Sequence, residues 1–560
     1  MKFFPIFLFL LQLPQAVFSF QLEETTISEV QNAIIREEIS CELLVISYID
    51  RIKKFNLTVS DSAPINALTE INRSAVDNAR QIDNYFAKTK QLMGPLHCVP
   101  IILKDNIDSF DTTTTAGSYA LLGNQPSDDA FLTKQLRDAG AVILGKGGMD
   151  EFAWGMMGIN SRNGRIGNAY DPDKNPGGSS GGPAAAVSAN FALAGIGSDN
   201  SGSVRIPAVF NGLVGLRPTT GLISQAGIFP MGKVDGIAGP MTRTVADLAI
   251  LLDVIARPDL EDQKTKKSIR PQSYRTYLNK NGLQKKRIGI VRQVGTIDTF
   301  KGMPENVREI MQKAYSDMEE LGANFIEIQL NEFDNKRDYN QAGEIQDINN
   351  YLNNYPATRK NFRDICESNR TRNFGTVEQC LKFMNKMNAQ TIDEIKLADN
   401  IAVKNNNYLK KLMQENQLDA LLIPISTQGI ATYDGSTINT WRAPVSSNSG
   451  MPAIAFVIGY IQGMPMGIEL VAKQYAESTL IEMAYAYEQY KPKRLVPKML
   501  KENKQVEEMS VAQFNNVINQ LGKQAYEKVL KLKGNSEKQL TAKVFQKITQ
   551  SVLNRINLNF

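Results

Sequence analysis

Residues Pro176–Pro183 read Pro-Gly-Gly-Ser-Ser-Gly-Gly-Pro, and residues Gly197–Arg205 read Gly-Ser-Asp-Asn-Ser-Gly-Ser-Val-Arg. Both stretches belong to a region, residues 145–239, in which glycine and other small residues are much denser than ordinary loops require. Glycine permits tight turns and lets the backbone approach a ligand closely. We therefore expect this region to contain the functional site, and its paired serines are candidate catalytic groups.

An α/β alternation surrounds these stretches. Residues 99–103 and 141–144 are short apolar runs typical of buried strands, and residues 131–139 between them have the pattern of a helix. Lys104 directly follows the first run and begins the segment Lys104-Asp105-Asn106. Further apolar patterns predict a helix at 245–255 and buried strands at 286–291, 421–424 and 453–457.

Together these motifs resemble the amidase signature family. Ser203 follows Ser179 by 24 residues, Lys104 lies upstream, and Arg217-Pro218-Thr219 lies downstream. Two further stretches agree, Met149-Asp150-Glu151-Phe152-Ala153 and the pair Gly450-Met451-Pro452-Ala453-Ile454 with Gly463-Met464-Pro465-Met466-Gly467. The resemblance covers residues 22–489. It implies an α/β fold, an α/β/α sandwich whose large central mixed β-sheet is covered by helices on both faces.

The resemblance also implies a Ser-Ser-Lys triad. Ser203 matches the nucleophile, Ser179 the bridging serine whose peptide bond is cis, and Lys104 the base. A serine hydroxyl is a poor nucleophile until a base accepts its proton. A lysine can do this only when it is neutral, so burial must lower its pKa from about 10.4 to roughly 7–8. The apolar run before Lys104 suits such a desolvated position.

Oxyanion stabilisation falls, by the same resemblance, to the backbone N–H groups of Asn200, Ser201, Gly202 and Ser203. The chain departs from the common family pattern here. Ser201 stands where many members have glycine, and Asn200 stands where threonine is frequent. Backbone donors survive a change of side chain, so activity is still expected, although Ser201 can narrow the site beside the scissile bond.

Supporting residues complete the implied site. Asp199 and Arg205 are expected to form a structural ion pair that holds the nucleophile loop, and Ser180 is expected to form a hydrogen bond within the cis turn. Methionines and an aromatic residue indicate an adaptable apolar substrate pocket, although core packing would use the same residue types. The expected pocket residues are Met149, Trp154, Met156, Met157 and residues 228–231.

Composition excludes several kinds of partner. The charge is nearly balanced, at +5, which gives no reason to expect binding to nucleic acid. The chain has one histidine, His97, so a histidine-rich metal site is excluded; its apolar and proline neighbours indicate a core residue. We expect no metal and no cofactor. The expected partner is a small-molecule amide, with no obligate protein partner and with a homodimer left open.

The N-terminus has the features of an export signal. Lys2 is followed by an apolar run over residues 3–13, and small residues near position 19 suit a cleavage site. We therefore assign residues 1–19 to a signal peptide, 20–495 to the amidase domain and 496–560 to a lysine-rich helical extension. An uncleaved anchor is the alternative for the first segment. The extension can cover the core, pair protomers or touch a membrane surface.

Export changes how the cysteines are interpreted. The four cysteines, Cys41, Cys98, Cys366 and Cys380, allow three pairings of two disulfides. The short intervening loop favours a bond between the last two. Three sequons begin at Asn56, Asn72 and Asn369, and on the secretory route they are candidate glycosylation sites.

The leading functional hypothesis is a secreted serine amidase, located outside the cell or in the secretory lumen. It would hydrolyse linear amide C–N bonds, rather than peptide bonds in general, to acid and ammonia or amine through an acyl-enzyme on Ser203. One alternative is the glutaminase A subunit of a glutamyl-tRNA amidotransferase, which an export signal disfavours. The other is a catalytically silent secreted glycoprotein that keeps the fold for binding.

Overall fold

The computed structural model describes most of the chain. The described residues are 20–57, 63–231, 236–335, 343–354, 357–371, 373–374, 376–389, 392–430, 444–490, 494–498, 509–531 and 542–556. The segment assigned to a signal peptide lies outside them.

A 12-stranded sheet of mixed direction forms the centre of the molecule. Its strands are β1 (Leu68–Ile71), β2 (Pro100–Lys104), β3 (Val142–Gly147), β6 (Ala194–Asp199), β7 (Val214–Arg217), β8 (Ile237–Thr242), β9 (Arg287–Val294), β10 (Ile297–Asp298), β11 (Asn324–Leu330), β12 (Ala420–Pro424), β13 (Ala453–Ile461) and β14 (Met464–Val471). The short strands β4 (Ile159–Asn160) and β5 (Gly164–Arg165) pair separately. The strand order is β1-β3-β2-β6-β8-β7-β13-β14-β12-β9-β10, and β11 pairs with β9.

Strand directions show why the sheet is mixed. β2 runs parallel to both β3 and β6, and β9 runs parallel to β11 and β12. The strands between these two groups pair antiparallel. β2 is buried along its whole length, as expected of a strand with parallel neighbours on both sides. The predicted α/β fold with a large mixed sheet is therefore confirmed.

The described chain also contains α-helices, several of which pack against this sheet. They are α1 (Ile27–Ile35), α2 (Cys41–Phe55), α3 (Ala75–Thr89), α4 (Phe131–Asp138), α5 (Gly181–Ser188), α6 (Arg205–Phe210), α7 (Val245–Ile255), α8 (Glu305–Glu320), α9 (Glu344–Asn354), α10 (Phe362–Glu367), α11 (Val377–Asn388), α12 (Ile392–Glu415), α13 (Glu477–Tyr490), α14 (Val511–Lys531) and α15 (Ala542–Ile556). Of these, α5 and α6 begin at the two serine-rich stretches and contact the central strands.

Small residues explain how α5 comes so close to the sheet. All eight of its residues are buried, and the helix contacts β2, β3, β6 and β8. A Cβ at Gly182 would collide with the backbone nitrogen of Gly148. The Gly-Gly pair therefore allows the start of the helix, and the serines just before it, to pack directly on the sheet.

The C-terminal extension covers the core. Helix α14 of this extension has an apolar face, on which Phe514, Ile518 and Leu521 are buried in the main hydrophobic cluster. Asn515 extends the edge of the sheet, because its side chain accepts a hydrogen bond from Ile71 N–H and donates one to Ile71 O, both at 2.8 Å. Of the three roles that the sequence leaves open for the extension, the structure shows that it covers the core.

Two disulfides pair all four cysteines. The predicted bond between Cys366 and Cys380 is present, and it joins α10 to α11. The second bond joins Cys41, at the start of α2, to Cys98 just before β2. His97, next to this bond, is wholly buried and accepts a hydrogen bond from Met93 N–H at Nδ1, as predicted for a core histidine.

Burial corrects the interpretation of two sequons. Asn56 and Asn72 are at most 1% exposed. Asn56 accepts a hydrogen bond from Ala67 N–H, and Asn72 donates one to Ile143 O. A glycan on either amide would have no room in the fold. Asn369 is exposed and remains the candidate acceptor.

Candidate active site

The end of β2 brings Lys104 to the serine-rich turn before α5. Its Nζ donates to Ser179 Oγ at 2.7 Å. It also lies 2.7 Å from Ser198 Oγ and 3.2 Å from Ser198 O, on the neighbouring strand β6. The lysine is therefore held by both serine-bearing segments and oriented towards the predicted bridging serine.

Burial gives this amine its chemistry. The Lys104 side chain has no solvent exposure, and desolvation lowers the pKa of Lys104 to about 7. Asp150 and Asp199 act in the opposite direction, because nearby carboxylates favour the ammonium form. Desolvation exceeds their effect, so a large fraction of the amine is neutral near physiological pH and can accept a proton.

The turn before α5 has the backbone implied by the family resemblance. The peptide bond between Gly178 and Ser179 is cis. Ser180, however, does not bond within this turn as predicted. Its hydroxyl donates to Ser198 O and accepts from Ser198 N–H, both at 3.2 Å, because the turn lies directly against β6. Ser180 therefore joins the turn to the strand that leads to Ser203, the predicted nucleophile.

Ser203 lies on the short turn between β6 and α6 and is 7% exposed. Its carbonyl oxygen accepts a hydrogen bond from Ser180 N–H at 3.2 Å, which connects the two serine-rich segments. The turn is bracketed by Asp199 and Arg205, which form the predicted ion pair at 3.0 Å with both side chains wholly buried. Arg205 also binds Glu469 on β14.

Charge pairing keeps Asp199 ionised. Burial alone would raise the pKa of Asp199, but the guanidinium groups of Arg205 and Arg217 outweigh it and hold that pKa well below its ordinary value. The N–H groups of Gly202 and Val204 donate to the same carboxylate at 2.7 and 3.1 Å. Asp199 thus acts as an anionic hub that shapes the nucleophile turn.

This hub corrects the predicted oxyanion hole. The N–H of Gly202 is already bonded to Asp199, so it is not available to a substrate oxygen in this structure. Across the described part of the chain, the amides of Asn200, Ser201 and Ser203 have no such backbone or side-chain acceptor. These three remain the candidate donors.

The predicted substrate pocket is only partly supported. Met149 is wholly buried and offers no surface to a substrate, which corrects its assignment. The Met156 backbone lies against Gly178, where an added Cβ would be 2.8 Å from the Met156 Cα. Met157 packs on the main core and its N–H donates to Asp150.

Residues 228–231 line a cavity of about 570 Å³. Asn106 donates to the sulfur of Met231 at 3.0 Å, and the Asn200 side chain donates to the Met231 carbonyl. This side of the cavity is therefore next to the segments that carry Lys104 and Ser203. Its other walls carry the carboxyl side chains of Glu261, Asp262, Asp347 and Asp399.

Trp154 belongs to an aromatic cluster rather than to an open wall. It packs against Phe152 and against Phe362, Phe374 and Phe383 of the disulfide-linked region around α10 and α11. Its indole N–H donates to Glu344 at 3.0 Å. Burial raises the pKa of Glu344 to about 8, so this carboxyl is largely protonated at neutral pH.

Three contacts of the site are not apparent from the motifs alone. Ser198 is the second side-chain partner of Lys104, and Asn106 donates to the same hydroxyl at 3.1 Å. Asp105 and Asn106 form a turn after β2, closed by the hydrogen bond from Ile107 N–H to Lys104 O, so strand alternation gives no signal for that pair. Glu469 gives no local signal, because it meets Arg205 only through the fold.

Metal ligands do not cluster in this region. Among the residues that the structure describes, no group of three or more His, Cys, Asp or Glu side chains is arranged to hold a metal ion.

No described helix combines the length and apolar character needed to cross a membrane.

Comparison with known proteins agrees with this geometry. Residues 44–481 match the family model described as Amidase, and the chain belongs to this family. It is 32% identical over 488 residues to the A subunit of the glutamyl-tRNA(Gln) amidotransferase of Moorella thermoacetica, covering 84% of this chain and 97% of the relative. It is also 32% identical over 491 residues to a putative amidase of Arthroderma benhamiae, covering 80% and 78% respectively.

The fold is similar to that of solved amidases. The native peptide amidase from Stenotrophomonas maltophilia superposes with a TM-score of 0.77 at 30% identity, covering 85% of this chain and 99% of that one. The chain is therefore an amidase-family hydrolase that acts on amides.

Proposed function

We propose that this protein is an exported serine amidase that hydrolyses carboxylic amides, with peptide C-terminal amides as the leading substrate class. The observation that carries the proposal is the 2.7 Å contact between the buried Lys104 amine and Ser179, beside the turn that bears Ser203. The similarity to a peptide amidase supports the choice of substrate. The proposed chemistry uses no metal, cofactor or second protein.

The proposed reaction has two halves. In the first, Ser203 Oγ attacks the amide carbonyl while its proton passes to Ser179 and the Ser179 proton passes to neutral Lys104. The tetrahedral oxyanion receives hydrogen bonds from free backbone N–H groups of the nucleophile turn. The C–N bond then breaks, and the relay returns a proton to the departing ammonia or amine. In the second half, water attacks the acyl-enzyme by the same relay and releases the acid.

Export is proposed from the sequence signal and is supported by the disulfides. All four cysteines are paired, which suits an oxidising compartment. The same observation disfavours a component of a glutamyl-tRNA amidotransferase, whose substrate is absent from a secretory lumen. That second candidate is kept because several relatives of comparable identity carry this name.

The test is a substrate panel with the Ser203→Ala variant as the matched control. Purified protein is incubated with peptide amides, fatty amides, aryl amides and glutamine, and the release of ammonia or amine is measured. We expect hydrolysis of peptide amides by the wild type and none by the variant. Turnover of glutamine alone would support the glutaminase alternative. If the folded wild type neither hydrolyses any of these amides nor reacts with a fluorophosphonate, the result favours the catalytically silent binding protein.

A further inference from the structure

Arg205 receives a second carboxylate from a distant part of the sheet. Its Nε and Nη2 donate to Asp199 at 3.0 and 3.1 Å, while its Nη1 donates to Glu469. Glu469 lies on β14, and three strands, β8, β7 and β13, separate β14 from β6 in the sheet order. Arg205 therefore ties the end of β6 to a strand from the other half of the sheet.

The connection acts directly on the nucleophile turn. Asp199 ends β6, Arg205 begins α6, and Ser203 lies between them. Asp199 accepts the N–H groups of Gly202 and Val204, which flank Ser203 on either side. A shift of the Arg205 guanidinium would move Asp199 and, with it, both backbone neighbours of the nucleophile.

We propose that Glu469 is a positioning residue, whose carboxylate fixes Arg205 and thereby holds Ser203 in line with the Lys104–Ser179 relay. The proposal rests on the function proposed above. It extends the predicted pair of Asp199 and Arg205 to a buried network that also includes Arg217, 3.6 Å from Asp199. The network joins two carboxyl groups to two guanidinium groups, and all four side chains have no solvent exposure.

Stability alone is a poor explanation for this carboxylate. Removing two charges from water offsets most of what a buried ion pair contributes, so such pairs add little net stability. Within the described residues, the second oxygen of Glu469, Oε1, has no hydrogen-bond donor. The contact with Glu469 fixes the orientation of the Arg205 guanidinium, and the nucleophile turn depends on that orientation.

The experiment compares Glu469→Gln with Glu477→Gln in the full-length protein. Glu477 is a matched control because it is equally buried and also uses one oxygen, which accepts Thr219 N–H at 2.7 Å outside the nucleophile turn. Two quantities are measured: hydrogen exchange of peptides spanning residues 199–205, and the rate at which a fluorophosphonate labels Ser203. Steady-state kinetics on the best amide separate kcat from KM.

We expect Glu469→Gln to exchange faster across the turn and to label about tenfold more slowly or worse, because small displacements of reacting groups cost large factors in rate. We expect a matching loss in kcat with little change in KM, while Glu477→Gln stays near wild type. Exchange and labelling at wild-type rates in Glu469→Gln, or equal losses in both variants, would overturn the proposal.

If Glu469→Gln shows no cooperative thermal transition, Glu469→Asp takes its place, because it keeps the charge but shortens the reach to Arg205. It must show faster exchange and slower labelling, and wild-type behaviour of this variant contradicts the proposal. If wild-type protein is not labelled at all, the proposed amidase function fails, while the exchange comparison still decides the role of Glu469.

Discussion

Lys104 Nζ lies 2.7 Å from Ser179 Oγ, and neither side chain has any exposure to solvent. An ammonium ion is poorly suited to this position because burial disfavours the charged form. In the proposed mechanism, the same burial that lowers the pKa of Lys104 provides a base without histidine. The chemistry of the site follows from where β2 ends in the sheet.

Removal of the lysine amine should strongly reduce turnover and preserve the fold. Lys104→Met fills the same volume without a titratable group, and we expect kcat to fall about 10²–10⁴-fold, the usual contribution of general base catalysis. Lys146→Met is the control variant. Lys146 Nζ donates to the carbonyls of Ile107 and Thr113, so this substitution should cost mainly stability. Thermal unfolding and kcat for both variants test this, and near-normal turnover by Lys104→Met would refute the base.

The two serines of the cis turn should behave differently. Ser179 is bonded to the amine, whereas Ser180 holds the β6 backbone through two long hydrogen bonds. We expect Ser179→Ala to lower kcat about 10²-fold or more. Ser180→Ala should cost mainly stability, about 1 kcal/mol for each of its two neutral hydrogen bonds, and should lower kcat less than Ser179→Ala does. Equal losses measured side by side would show that Ser179 has no special role in proton transfer.

The disulfides should contribute unequally to stability. The bond from Cys41 to Cys98 spans 57 residues of sequence, and that from Cys366 to Cys380 spans 14. Loop entropy then predicts losses of about 4 and about 3 kcal/mol when each pair is replaced by alanine. Chemical denaturation of the two double variants measures these costs. Loss of the second pair should also alter Trp154 fluorescence, because the region that it joins packs on that ring.

Glycosylation should be confined to one sequon. Expression through a eukaryotic secretory pathway should give a glycan at Asn369, which is exposed, and none at Asn56 or Asn72, which are buried and hydrogen-bonded within the fold. Glycosidase treatment and peptide mass spectrometry of wild type and Asn369→Gln measure occupancy. A glycan on folded, active protein at Asn56 or Asn72 would contradict the packing described for these residues.

Sequence patterns identify the parts of this molecule that are encoded locally. The serine-rich turns, the strand that ends at Lys104, the apolar face of α14 and the short-range bond between Cys366 and Cys380 all follow from neighbours in sequence. Each requires only composition, periodicity or a short loop.

What escapes such patterns depends on long-range contact. Glu469 meets Arg205 across 264 residues, so only the strand order brings them together. The burial of Asn56 and Asn72 likewise cannot be predicted from a three-residue motif. Methionine is a residue type that is common in substrate pockets, but the fold buries Met149 in the core. The engagement of the Gly202 amide depends on the rotamer of Asp199, which the sequence does not specify.

The pH dependence of kcat tests the neutral-lysine mechanism most directly. Because the base must be deprotonated and the pKa of Lys104 is about 7, kcat should rise as pH increases through about 7 and level off above it. Burial also raises the pKa of Glu469 to about 7, so Glu469→Gln serves as the control and must keep the same rise. A rate that is flat from acid to alkaline pH, or a rise that disappears in Glu469→Gln, would contradict a base formed by Lys104.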